Sequence, residues 1–221
     1  MQKSSLFIVL ATTWLFIFSD ASLAARGYEG YYDTVGGTPW FDGAKSTIDY
    51  QNTIVGSIAI AVWSGIDNGG TGGMKWFQGG WAKWHNGNPR IYWEFTDKNG
   101  NYQRGYDVAP AASETYEQSR NGANVEWKHG VTVYKTVAWN KFDTIEFRKV
   151  QYGAEMLDSP NDHTPGSATS KNNCAASTAR RAGAAFAFTG LANQLNSATN
   201  GHVETYLPVG SGNFRTWDDR D

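Results

Sequence analysis

SIAIAVWSGI, Ser57 to Ile66, runs into DNGGTGG, Asp67 to Gly73, and then into MKWFQGGWAKWH, Met74 to His85. The first stretch is an almost unbroken apolar run of strand length, which predicts a buried strand. The glycine-rich stretch behind it predicts a loop or wide turn. In the third, Met74, Trp76, Gln78, Gly80, Ala82 and Trp84 fall on one face, because successive side chains of a strand point to opposite sides. That face is rich in aromatics and carries one amide in its middle. After Asn86-Gly87-Asn88-Pro89, the run RIYWEFTD, Arg90 to Asp97, reads as the hairpin partner, and Lys98-Asn99-Gly100-Asn101 turns the chain into Tyr102 to Val108.

The same alternation of apolar runs and turn residues continues outward. It predicts strands over Thr115 to Ser119, Val125 to His129, Val131 to Trp139, Thr144 to Leu157, Ala185 to Leu195 and Val203 to Val209. Repeated strands with short turns and no helical periodicity imply an all-β chain, folded as two packed antiparallel sheets in a β-sandwich. Composition agrees: 25 glycines, 11 tyrosines, 11 phenylalanines and 10 tryptophans suit turns and pleated surfaces. Asp158 to Gly183 is polar and rich in small residues, and predicts a long loop that is mobile or loosely packed.

The N-terminus has the pattern of a signal peptide: Lys3, an apolar run from Leu6 to Phe18, and small residues at Ala21-Ser22-Leu23-Ala24. Thr12, Thr13 and Asp20 interrupt or stop the run before it reaches the length of a membrane span. Residues 1–24 are therefore expected to be removed on secretion, leaving 25–221 as one β-sandwich domain without a further membrane segment. A net charge of −2 supplies no bulk attraction for nucleic acid or an anionic membrane. Cys174 is the one cysteine, so the chain has no intrachain disulfide and depends on packing.

Several chemistries lack their residues. No serine sits in Gly-x-Ser-x-Gly, the four histidines (His85, His129, His163, His202) form no His-Glu-x-x-His, and the Asp67 to Gly73 turn has neither a calcium loop's glutamate nor a phosphate loop's lysine. No metal and no cofactor are expected. Polar groups planted inside apolar strands remain: Gln78 between Phe77 and Gly79, Glu94 between Trp93 and Phe95, and Glu155 between Ala154 and Met156. Burial of such groups costs free energy unless they are paired or used. Taken singly, each fits the exposed face of an antiparallel strand; taken together, among aromatics and glycines, they fit the floor of a groove.

At these positions the sequence resembles a known family. Trp63-Ser64-Gly65-Ile66-Asp67, Phe77-Gln78-Gly79-Gly80 and Tyr92-Trp93-Glu94-Phe95 are similar, in order, to blocks of the fungal glutamic peptidases called eqolisins. Gly153-Ala154-Glu155-Met156-Leu157-Asp158-Ser159, with Asp162-His163-Thr164 behind it, resembles a segment of the plant neprosin family, and Ala154-Glu155 also fits the eqolisin context. The resemblance spans Thr47 to about Thr164. It implies a concanavalin-like jelly roll, Gln78 and Glu155 as the catalytic pair, and Trp63, Asp67 and Glu94 as groove or supporting residues. The eqolisin disulfide cysteines are absent, and only Ala25 to about Lys45 precedes the first expected strand.

The implied activity is hydrolysis of a polypeptide at acid pH. Glu155 takes a proton from water and returns it to the leaving amine, while Gln78 donates to the developing oxyanion. Trp76, Trp84 and Tyr92 fit either a cleft for extended peptide or ordinary packing. Two other readings stand beside this one. A glycoside hydrolase would use Glu94 and Glu155 as acid and base, and a carbohydrate-binding sandwich would use the same groups without catalysis.

Overall fold

The computed structural model describes residues 26–70, 73–182, 184–188, 193–206 and 212–221. The expected signal peptide lies outside them. Fifteen strands lie among the described residues: β1 (Gly27–Thr34), β2 (Phe41–Asp49), β3 (Ala59–Asp67), β4 (Trp76–Trp84), β5 (Arg90–Thr96), β6 (Tyr102–Tyr106), β7 (Ser113–Asn121), β8 (Asn124–His129), β9 (Thr132–Ala138), β10 (Lys149–Met156), β11 (Asn172–Arg181), β12 (Ala187–Phe188), β13 (Asn193–Asn196), β14 (Gly201–Thr205) and β15 (Phe214–Asp218). They form a seven-stranded sheet, β13-β1-β10-β3-β4-β5-β6, and an eight-stranded sheet, β14-β15-β11-β2-β7-β8-β9, with β12 paired to β11. All strand pairs are antiparallel, as expected for the sandwich.

The apolar run around Ile60 lies near the middle of the seven-stranded sheet. Ile60, Val62 and Ile66 enter the core between the sheets, while Ala61 and Trp63 pack with Ala82, Tyr92, Trp84 and Tyr28 on the other face. Period-two alternation thus splits one run between two apolar environments, which explains why it reads as continuous. The inter-sheet core is aromatic. Phe77 meets Trp127, Phe142 and Phe147 edge-on at 5.2–5.7 Å, and Phe95 stacks on Trp127.

Three expectations need correction. Asp158 to Gly183 is not a loose loop: it contains β11, which lies between β15 and β2. Its Ala, Ser, Thr and Asn side chains carry little hydropathy, yet Asn172, Cys174, Ser177 and Thr178 are buried, so the period-two signal is muted rather than missing. The turn before it is also fixed, since the buried Asp162 carboxylate accepts from the backbone N–H groups of Ser57, Ile58, Ala59 and Asp158 at 2.9–3.3 Å. Next, the stretch from Ala25 to Lys45 is not merely a lead-in, because β1 and most of β2 occupy it. Finally, Phe214–Asp218 near the C-terminus forms β15, where no strand was expected.

Backbone approach in the seven-stranded sheet depends on missing side chains. A Cβ at Gly80 would fall 1.9 Å from the Val62 carbonyl oxygen and 2.8 Å from the Trp63 Cα. Neither atom can swing aside. Gly80→Ala is therefore expected to destabilise the protein by about 1–3 kcal/mol, read as a lower urea midpoint with an unchanged slope; an unchanged midpoint would show that β3 and β4 separate without cost.

Candidate active site

Gln78, Glu94 and Glu155 come from three strands of the seven-stranded sheet and line one cavity of about 960 Å³, together with Trp63, Asp67, Trp76, Trp84 and Tyr92. The cavity lies on the face turned away from the inter-sheet core. Every residue anticipated for the groove therefore borders the same space.

The register places them within it. Gln78 pairs directly with Glu94 across β4 and β5, and Glu94 pairs in turn with Arg104 on β6. On the other side, Gln78 faces Gly65 on β3, which faces Gln151 on β10. Gly65 supplies no side chain there: a Cβ would lie 2.5 Å from the Cβ of Gln78. Glu155 belongs to another row, opposite Ala61 and Tyr28, with Ala82 beyond Ala61. It is thus four residues of register from Gln78, about 13 Å along the strands, and two strands across.

The hydrogen bonds divide accordingly into two groups. Gln78 Nε2 donates to Glu94 Oε1 at 2.8 Å and to the Tyr92 hydroxyl at 3.3 Å, and the Tyr102 hydroxyl donates to Glu94 Oε2 at 2.6 Å. Glu155 Oε1 accepts from Arg26 Nη1 at 2.7 Å and from the Tyr28 hydroxyl at 3.1 Å. Gln78 and Glu155 share the cavity and the sheet face, with separate hydrogen-bond partners. Asp67 stands apart from both groups, capping the turn through the Gly69 N–H at 2.6 Å and accepting from Gln151. Trp76 leans on Tyr102 and Trp84 meets Tyr106 edge-on at 4.7 Å, so these tryptophans form cavity walls.

The opposite sheet holds this floor in place. Trp127 Nε1 donates to the Gln78 carbonyl at 2.9 Å, Gln118 Nε2 to the Gly79 carbonyl at 3.3 Å, and the Tyr134 hydroxyl to the Tyr92 carbonyl at 3.0 Å. Gln118 is itself fixed by Ser64 Oγ at 2.8 Å. Donors from β7, β8 and β9 therefore grip the backbone directly beneath the site side chains. Such donors limit the drift of a site held on strands.

Burial dominates the electrostatics. It pushes the Glu94 carboxyl up to about 7, with the Glu155 charge adding to the rise and the hydrogen bonds from Tyr102 and Gln78 and the charge of Arg104 opposing it. Burial also raises Glu155 above the usual carboxylate range, against the pull of Arg26 and Tyr28. Tyr28, raised by burial and by Glu155 to about 12, remains a donor at any working pH. Asp67 is raised by burial as well. The two glutamates thus have unlike settings: Glu155 is hydrogen-bonded to an arginine, whereas Glu94 is hydrogen-bonded to the neutral donors Gln78 and Tyr102 and feels Arg104 through its charge. Among the described residues, no group of three or more His, Cys, Asp or Glu side chains gathers to hold a metal ion.

Arg26, Tyr28, Tyr102 and Gln151 were not anticipated. Arg26 and Tyr28 belong to a segment read as a lead-in, although its Tyr-rich alternation, GYEGYYDT, is a strand signal. Tyr102 was visible as the start of the β6 run, and its contact with Glu94 follows only from pairing β5 with β6.

No protein-family model matches the sequence, and no curated protein sequence is similar to it. Solved structures share its fold. Scytalido-glutamic peptidase with a transition-state analog inhibitor has a TM-score of 0.61 at 10% identity, covering 87% of this chain and 98% of that one. The same peptidase with a peptide-based transition-state analog gives 0.60 at 12% identity over 88% and 98%. SCP-B, a member of the eqolisin family of peptidases in complex with the tripeptide Ala-Ile-His, gives 0.58 at 11% identity over 87% and 98%. At these identities the likeness establishes a shared fold: the chain is a β-sandwich built like those of the eqolisin peptidases.

Proposed function

We propose that the protein is a secreted endopeptidase of the glutamic type, hydrolysing polypeptides at acid pH through Gln78 and Glu155. The observation that carries this reading is the Gln78 amide, held by Glu94 and Tyr92 in a cavity that also contains the Glu155 carboxylate. The assignment of Glu155 leans in addition on the eqolisin- and neprosin-like context of Ala154-Glu155.

An amide carbonyl is a weak electrophile, so hydrolysis without a covalent nucleophile needs activated water and a stabilised oxyanion. The shorter bond of Gln78 Nε2, to Glu94, fixes the amide's orientation. The longer one, to Tyr92, is the contact a substrate carbonyl oxygen would replace as negative charge develops on it. Arg26 and Tyr28 favour the ionised form of Glu155, the form that accepts a proton from water. Trp76, Trp84 and Tyr92 give an extended chain apolar walls to lie against.

The test is incubation of the purified protein with an unfolded protein at acid and neutral pH, beside a polysaccharide. Fragmentation of the polypeptide at acid pH, with the polysaccharide intact, is the expected result. Cleavage of the polysaccharide alone would replace this reading by a glycosidase using Glu94 and Glu155.

A further inference from the structure

We propose that Glu94 is a catalytic residue in its own right, the acid that protonates the departing amine while Glu155 serves as base. This rests on the peptidase reading above and departs from a mechanism in which one glutamate moves the proton both ways.

The geometry separates the two tasks. Glu94, not Glu155, is the cross-strand partner of Gln78 and shares a 2.8 Å hydrogen bond with it. A substrate carbonyl placed on the Gln78 amide therefore lies next to Glu94, and the nitrogen of the same peptide unit is within a bond or two of that oxygen. Glu155 is displaced by four residues of register and tied to Arg26, which suits a group that must be ionised. The charged and titratable groups facing Glu94 are Glu155 from β10, Arg104, Tyr102 and Tyr106 from β6 and Tyr92 from β5. Burial and Glu155 together keep its proton on to about pH 7, while Glu155 has an arginine to oppose its own protonation. Burial raises both carboxyls, and their unlike partners, an arginine bonded to Glu155 and the Gln78 amide bonded to Glu94, assign the base to the first and the acid to the second. Tyr102, partly exposed and hydrogen-bonded to Glu94 Oε2 at 2.6 Å, connects the acid to solvent, from which it can be recharged.

The step balances. Glu155 removes a proton from water, the water oxygen bonds to the carbonyl carbon, and the oxyanion rests on Gln78. Collapse breaks the C–N bond as Glu94 gives its proton to the nitrogen. Glu155 is left protonated and Glu94 ionised, and exchange with solvent restores both.

Leaving-group dependence tests this role. Glu94→Gln keeps the shape and a polar partner for Gln78 and cannot give up a proton. It is expected to lose about 100- to 10,000-fold in kcat on a peptide, and less than about tenfold on the matching peptide nitrophenyl ester, whose leaving group departs without protonation. The fall of wild-type peptide hydrolysis above about pH 7 should vanish from what activity remains. Glu94→Asp, which retains a titratable carboxyl, should recover part of the peptide rate, and guards against a folding defect in Glu94→Gln. Equal losses on peptide and ester, or full peptide activity in Glu94→Gln, would overturn the role and leave the peptidase reading standing. Absence of peptide cleavage by the unaltered protein would overturn both.

Discussion

Glu155→Gln is expected to lower peptide hydrolysis by about 100- to 10,000-fold, the range lost with a positioned proton-transfer group. The substitution keeps an oxygen where Arg26 and Tyr28 donate, so β1 and β10 stay paired. What disappears is the negative charge, and with it the capacity to take a proton from water. Arg26 then loses its counter-charge in a site where its side chain is only 18% exposed, so a modest fall in thermal midpoint should accompany the loss of rate. Gln78→Ala is a companion test. It removes a donor worth about 3–4 kcal/mol in the transition state, a loss of about 100- to 1,000-fold in kcat with KM little changed. In the unaltered protein the rate should fall on the acid side as Glu155, raised above the usual carboxylate range, gains its proton. Steady-state kinetics with circular dichroism on each variant decide the matter. Peptide hydrolysis near the wild-type rate in Glu155→Gln would remove it as the base.

Stability should peak in mild acid and decline toward neutrality, because buried carboxyls hold their protons. Glu29 is fully buried with one carboxyl oxygen accepting from the Ala198 N–H at 3.0 Å and the other without a partner among the described residues. Burial pushes it from 4.5 up to about 7, the value also reached by Glu94. Below about pH 4.5 both groups are protonated in the folded and the unfolded chain, and stability is at its full value. Between about 4.5 and about 7 the unfolded chain releases protons that the folded chain retains, so each unit of pH costs about 1.4 kcal/mol per group. Above 7 the loss is complete, at most about 3.5 kcal/mol for each carboxyl. The acid limit comes from groups of the opposite kind. Asp218 and Asp97 are held below the usual range, burial being outweighed by Arg220 in one case and by Asn101 and its neighbouring backbone N–H groups in the other. Their contribution is present above about 3.8 and is lost as the pH falls through their folded values. Thermal midpoints measured from pH 3 to 8 should therefore be highest near pH 4–5, and Glu29→Gln should flatten the decline on the neutral side. A midpoint that climbs steadily from pH 4 to 8 would contradict the burial of these groups.

How these residues come to act together depends on what is local and what is not. Alternation is local. The faces of Met74 to His85 and of Arg90 to Asp97, and the turn joining them, follow from side-chain direction and turn chemistry, so Gln78, Glu94, Trp76 and Tyr92 were legible as one surface. The antiparallel sandwich was legible for the same reason. Where side chains carry little hydropathy, the signal fades. β11 is buried through Asn, Cys, Ser and Thr, and only its neighbours β2 and β15 show that it is interior. The tyrosines of β1 suit a strand, but its glycines and acidic residues break the apolar pattern, and Arg26 and Tyr28 reach Glu155 only through the pairing of β1 with β10.

The sequence by itself determined the fold class, the aromatic groove face and the presence of an amide and two glutamates on strands that could share it. Only the tertiary structure decided how those groups are partnered. The order of strands places β3 between β4 and β10, which puts Glu155 on the sheet face of Gln78, and places β1 against β10, which brings Arg26 to Glu155 across 129 residues of chain. Pairing of that range is set by the joint burial of both sheets, a property of the whole chain, and no window of sequence contains it.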